Sequence, residues 1–136
     1  MITGGCYCGR VRYEAAGVPF NETNCHCSIC RRTTGAPFVA WFSVRRSAFR
    51  FVSGTPAEFD STANGKRRFC PRCGTQVTFE DAALPDEIDV TICSLDDPNG
   101  LPPKGHIHTG SKLDWVKLAD GLPEHREDSE DNEGGA

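Results

Sequence analysis

The sequence has no long apolar run. No stretch approaches the roughly 18 consecutive apolar residues of a membrane-spanning helix, so no membrane partner is expected. The opening residues, Met1-Ile2-Thr3-Gly4-Gly5-Cys6, lack a basic region followed by an apolar one. That excludes the pattern of a secretory leader and points to a cytoplasmic protein. Helical periodicity is scarce, and neither a long internal repeat nor an interdomain linker is visible. An excess of one charge is also missing from most of the chain. Residues 124–136, EHREDSEDNEGGA, hold six acids against one arginine, and the remainder carries 13 acids against 14 bases. A body this close to neutral lacks the basic footprint of a nucleic-acid binder. Nor do its aromatics interleave with its bases as a single-strand platform requires.

What remains is one domain's worth of chain, 136 residues, rich in strand signals. Alternating or β-forming runs occur at Val11–Ala15, Pro37–Val44, Phe49–Val52, Ala57–Asp60, Arg67–Cys70, Thr75–Phe79, Ile88–Ile92 and His106–His108. Fourteen glycines and nine prolines punctuate them at short intervals. The reading is a mainly β fold, a single domain over 1–123 followed by a disordered acidic tail over 124–136. One helical turn is expected at Ser28–Thr34, closed by Gly35, and a second near Ala82–Leu84.

Eight cysteines are the informative residues. A reducing compartment keeps thiols free, so their clustering points to metal rather than disulfides. Cys70-Pro71-Arg72-Cys73 is a C-x-x-C knuckle, with Gly74 supplying the backbone freedom the turn needs. No thioredoxin-like βαβ pattern surrounds it, which argues against a redox pair. Cys6/Cys8 or two of Cys25, Cys27 and Cys30 could complete its four ligands. Seven clustered cysteines divide naturally into four and three. Four thiolates make a closed structural zinc site, and three leave a position for water or substrate, the pattern of catalytic zinc. The contiguous trio Cys25, Cys27 and Cys30 would then be the open site, unless His26 closes it as a fourth ligand. Arg31, Arg32 and Arg72 lie close enough in sequence to offset thiolate charge, and Arg31 or Arg32 could clamp a substrate carboxylate.

Three segments together are similar to the glutathione-dependent formaldehyde-activating (GFA) family. They are Gly4-Gly5-Cys6-Tyr7-Cys8-Gly9-Arg10-Val11-Arg12-Tyr13, Cys25-His26-Cys27-Ser28-Ile29-Cys30-Arg31-Arg32 with Thr34-Gly35-Ala36, and Phe69-Cys70-Pro71-Arg72-Cys73-Gly74-Thr75. Ser94–Pro98 and Trp115–Pro123 add to the likeness, which covers about residues 2–124. The resemblance implies a β-tent-like fold of antiparallel sheets and two Zn²⁺ ions. It assigns Cys6, Cys8, Cys70 and Cys73 to a structural zinc and Cys25, Cys27 and Cys30 to a catalytic one. The implied activity is a carbon–sulfur lyase acting in reverse, joining a small-molecule thiol, glutathione, to a small carbonyl, formaldehyde. A non-catalytic zinc-binding interaction module is the alternative on the same fold.

The other residues carry blander expectations. Cys93 reads as a buried small hydrophobe, or else as a fourth sulfur for the open site. His106 and His108 share a strand face exposed to solvent, with acid/base work as the minority reading. Phe38, Trp41 and Phe42 read as strand core with one ring available to a pocket, and Trp115 as core. Arg45, Arg46, Lys66, Arg67 and Arg68 read as surface charge.

Overall fold

The structure is a computed structural model that describes residues 1–128. Ten short strands dominate it. A small antiparallel sheet is formed by β1 (Ile2–Gly5), β2 (Arg12–Ala15) and β5 (Phe49–Ser53). A larger sheet contains β3 (Phe20–Cys25), β4 (Val39–Arg45), β6 (Ala57–Asp60), β7 (Gly65–Phe69), β8 (Gln76–Asp81), β9 (Glu87–Thr91) and β10 (Gly105–Ile107). Its spatial order is β10-β3-β4-β9-β8-β7-β6. Between the strands of the described residues every pairing is antiparallel except β10 with β3, which is parallel.

Strand alternation decides what each face of the large sheet does. On β4, Phe42 and Val44 point into the space between the sheets. They meet Val77, Ile88 and Val90 there, with Tyr13, Ala15 and Phe49 from the small sheet. Phe42 and Val44 are fully buried, and burial of this kind stabilises by about 2 kcal/mol per side chain. The intervening Trp41 and Ser43 point to the opposite face, where they join Cys25, Arg67, Phe79 and Asp89 around a cavity. One face of the sheet is thus committed to packing and the other to the site.

The one α-helix among the described residues, α1 (Ser28–Thr34), lies beside that second face. The Cys27 sulfur caps its N-terminus, accepting from the Cys30 N–H at 3.3 Å, and Gly35 ends it at φ 69°. A residue with a Cβ would be strained at that left-handed position. The turn expected near Ala82–Leu84 is a turn without a helix, closed by the Leu84 N–H donating to the Asp81 carbonyl at 2.8 Å.

The chain end is more structured than its composition suggests. Residues 124–128, read from sequence as the start of the tail, run alongside β10. His125 N–H donates to the His106 carbonyl at 2.9 Å, and His108 N–H donates to the Glu127 carbonyl at 2.8 Å. Backbone pairing needs no apolar side chain, so composition could not show it. Residues 129–136 lie outside the described residues.

Candidate metal centres and cavity

Two groups of sulfurs converge. Cys6, Cys8, Cys70 and Cys73 form one and Cys25, Cys27 and Cys30 the other, with all ligand atoms in each within 4.8 Å of one another. The first group lies where the sheets meet. Cys6 and Cys8 lie between β1 and β2, and Cys70 and Cys73 lie between β7 and β8. Its sulfurs are 3.6 Å apart for Cys6 and Cys8 and 3.8 Å for Cys8 and Cys70. A tetrahedron of thiolates around Zn²⁺ with bonds of about 2.3 Å has edges near 3.8 Å, so the set fits that ion. Backbone donors support it: Val11 N–H reaches Cys6 Sγ at 3.2 Å, and Arg72 and Cys73 N–H each reach Cys70 Sγ at 3.4 Å. Gly74 at φ 83° closes the knuckle, its N–H donating to the Cys70 carbonyl at 2.9 Å.

Without a cation these thiols cannot ionise together. Hydrogen bonding to Thr75 draws Cys73 down to about 5. The backbone at Arg10 also pulls Cys8 down, but burial and the neighbouring Cys6, Cys70 and Cys73 push it up to about 11. The trio behaves likewise. Hydrogen bonds with Cys25 and Cys30 hold Cys27 far below the usual thiol range. Hydrogen bonds with Cys27 and Cys30, together with burial, drive Cys25 far above it. Both clusters are suited to a divalent cation that displaces the remaining protons.

The trio is built by β3 ending at Cys25 and α1 beginning after Cys27, with buried Cys30 in the first turn. His26 lies between two of these cysteines in sequence and its ring points away from them. Its fully buried ring packs on Phe38 at 4.8 Å between centroids, and its Nε2 lies 2.9 Å from His106 Nδ1. His106 Nε2 is 2.8 Å from Asp120 Oδ2. A carboxylate only accepts, so His106 donates to it. Its Nδ1 then accepts from His26 Nε2–H. Burial, with His106 and Lys112, lowers His26 to about 4 and keeps it neutral. Neither ring nitrogen belongs to the trio, so among the described residues the group stays at three sulfurs.

Cys25, Cys27 and Cys30 line a cavity of about 340 Å³. Arg67 lines it too, correcting its reading as surface charge. Alternation on β7 turns Arg67 inward between Lys66 and Arg68, whose side chains pair with Glu58. Arg67 is 4% exposed, its Nη2 is 3.8 Å from Cys30 Sγ, and Nε donates to Ser61 Oγ at 3.1 Å. Its guanidinium lies 4.7 Å from the Phe79 ring centre and 5.9 Å from that of Trp41. Arg31, Arg32 and Arg72, the sequence candidates for offsetting thiolate charge, are absent from the cavity wall. Among the described residues, the two non-glycine residues with positive φ, Asn21 at 54° and His108 at 55°, both line the cavity. Strain of this kind gathers at working sites.

The same backbone kink at His108 separates the two histidines expected on one solvated face. His106 is fully buried, whereas His108 faces the cavity with Nε2 3.4 Å from Asp128 Oδ1. Cys93 is exposed and belongs to neither cluster, because the 3₁₀ turn Ile92–Ser94 points its side chain outward. Trp115 is 68% exposed rather than core.

Asp89 lines the cavity and accepts from Ser43 Oγ at 2.6 Å. Burial pushes it up to about 7, against the lowering effect of Ser43 and with further push from Glu87, Asp128 and Asp81. A carboxyl raised in the fold contributes stability only while protonated. That stability is intact below about pH 4 and lost as pH rises through 7. Asp89→Asn is therefore expected to be no more stable than the native chain at pH 4 and about 2 kcal/mol more stable at pH 8, cavity water screening part of the linkage. Urea unfolding at the two pH values checks this.

Sheet topology and sulfur geometry define a mainly β protein with two cysteine clusters that could hold metal ions, one at the seam between the sheets and one in a cavity. The chain matches the family model described as glutathione-dependent formaldehyde-activating enzyme over residues 1–111, and it belongs to that family. It is 31% identical over 129 residues to a Halomonas elongata protein provisionally named as a glutathione-dependent formaldehyde-activating enzyme. That match covers 87% of this chain and 81% of the relative. It is 29% identical over 76 residues to an uncharacterised lyase of Schizosaccharomyces pombe, covering 56% of this chain and 55% of the other. A crystal structure of a Rhodobacter sphaeroides protein superposes with a TM-score of 0.55 at 26% identity, covering 90% of this chain and 98% of that one.

Proposed function

We propose that the chain is a carbon–sulfur lyase running in the synthetic direction, joining a thiol of the glutathione type to formaldehyde or a related small carbonyl. Cys25, Cys27 and Cys30 would hold a catalytic Zn²⁺, and Cys6, Cys8, Cys70 and Cys73 a structural one. The observation that carries this reading is the contrast between the clusters. Four sulfurs close one site, while three sulfurs line a cavity large enough for a small molecule. When bound at the trio, zinc supplies a low-pKa environment that keeps an entering thiol as its nucleophilic thiolate.

The chain's own residues do the rest. The cavity wall holds the two reactants together, replacing a bimolecular encounter. The thiol gives up its proton to solvent; as its sulfur forms the C–S bond, the carbonyl π pair moves to oxygen, which takes a proton from solvent to give a hemithioacetal. Arg67 stands beside the trio, its guanidinium over the Phe79 ring, and its Nη1 is buried without an acceptor. It is placed to offset thiolate charge and to donate to the oxygen as charge develops there. Thiols add to formaldehyde unaided, so the test is the rate above that background. The zinc-loaded chain is expected to accelerate thiol consumption. Arg67→Met should lower that acceleration about 100-fold and Arg67→Lys should restore part of it. A rate equal to buffer for the native chain sinks the proposal.

A further inference from the structure

His26, His106 and Asp120 form a hydrogen-bonded line that lies outside both the cavity wall and the sulfur clusters. Both rings are fully buried, and the line reaches solvent at Asp120, whose side chain is 43% exposed. Its inner end is the residue between two sulfurs. Cys25 ends β3, and Cys27 has extended backbone at φ -66° and ψ 153°. Neighbouring side chains along extended backbone face opposite ways. A His26 ring held on one side therefore keeps Cys25 and Cys27 turned to the other, where they line the cavity.

Backbone bonds hold the path of the chain here. His26 N–H donates to the Ile107 carbonyl at 3.1 Å, and His106 N–H donates to the Pro123 carbonyl at 2.8 Å. The side chains add the direction of the ring, and Asp120 decides the order of their protons. Its Oδ2 faces His106 Nε2, and its Oδ1 accepts from the Leu122 N–H at 3.1 Å. Both oxygens are committed as acceptors, and a carboxylate has no hydrogen to offer. The His106 proton therefore sits on Nε2, and its Nδ1 accepts from His26 Nε2–H. His26 Nδ1 is then a bare acceptor, which agrees with its being buried without a partner. The reverse order would bury an orphaned N–H donor at that atom, the rarer arrangement.

We infer that His26, His106 and Asp120 are positioning residues for the trio: Asp120 orders the two ring protons, and the completed line holds Cys25 and Cys27 in the geometry that binds a metal ion. The inference rests on the trio being a metal centre. Removing an outer partner of this kind weakens metal binding by about 10–100-fold. Asparagine cannot serve both of the bonds that Asp120 makes. With its oxygen on Leu122, its NH₂ meets His106 Nε2 and drives that proton to Nδ1, against His26 Nε2–H.

The zinc-loaded full chain, Asp120→Asn and Asp120→Glu test this. Nitrogen-15 correlation spectra of the imidazoles should show the proton on Nε2 of both His26 and His106 in the native chain. An Nδ1 proton on either ring overturns the inference, and that measurement needs no variant. In Asp120→Asn the rings should leave this state. One zinc should then pass to a chromophoric chelator at least about ten-fold faster, with the other within about two-fold of its native rate. Cys27→Ser, which lacks the trio's ion, identifies the phase. Asp120→Glu keeps an acceptor-only end and should restore most of the native rate. Unchanged proton positions in Asp120→Asn, or changed positions with unchanged release, overturn the positioning role. So does faster release of both ions with a lower melting point, the mark of general loosening. A native chain that binds one zinc, retained in Cys27→Ser, removes the reading of the trio and the inference with it.

Discussion

Replacing Cys70 with serine is expected to leave the chain without a cooperative thermal transition near physiological temperature. Cys70 is fully buried, and its sulfur accepts two backbone N–H groups in addition to belonging to the four-sulfur cluster. That cluster ties the β1–β2 turn to the β7–β8 knuckle, so it fastens the small sheet to the large one. Structural zinc contributes on the order of 10 kcal/mol of apparent folding free energy, comparable to the whole stability of a domain, about 5–15 kcal/mol. Serine keeps a small polar group but is a poor ligand for this ion, and three thiolates would be left crowded around a weakened site. Circular dichroism melts and zinc content measured together check the expectation. A variant that melts within a few degrees of the native chain shows that the seam does not depend on metal.

Cys27→Ser should behave oppositely: one zinc lost per chain, the fold retained, and thiol binding abolished. Cys27 lies outside the apolar core between the sheets, at the junction of β3 and α1. Its second role is to cap α1, and serine is among the best N-cap residues, so the helix keeps that bond. The melting point should fall by only a few degrees while affinity for glutathione drops by 100-fold or more. A variant that unfolds, or loses both metals, would show that the clusters are one structural unit rather than two sites with separate tasks.

The contrast between these variants was legible in the cysteines. Their number allowed the four-and-three division, the family resemblance named the two sets where spacing left them open, and the geometry brings together the same seven residues. The helix Ser28–Thr34 and its Gly35 cap were also readable, because N-cap, length and left-handed terminator are local signals. The strands β1 and β3 escaped the reading. Ile2–Gly5 holds two glycines, and Phe20–Cys25 is largely polar, so neither shows the alternation that marks a strand.

The site's charges were harder to read because they depend on tertiary register. Lys66-Arg67-Arg68 looks like one basic patch, yet period-two alternation sends the middle residue into the cavity and its neighbours out. The only available clue was that Arg67 shares its strand face with Gly65 and Phe69. Asp89 on β9 likewise looks solvated until the cavity side of the sheet is known. The His26–His106–Asp120 chain joins residues 80 apart and then 14 apart in sequence, beyond the reach of any local pattern.

The central claim is that the trio is an open metal–thiolate centre that accepts a thiol, while the four-sulfur cluster is closed. Cobalt substitution tests it most directly, because sulfur-to-cobalt charge-transfer absorption reports how many thiolates each ion carries. Adding glutathione to the cobalt-loaded chain should raise that absorption saturably by one further thiolate per chain, and the rise should vanish in Cys27→Ser. A spectrum unchanged by every thiol, with two cobalt ions bound, would mean that both centres are closed and would contradict the account.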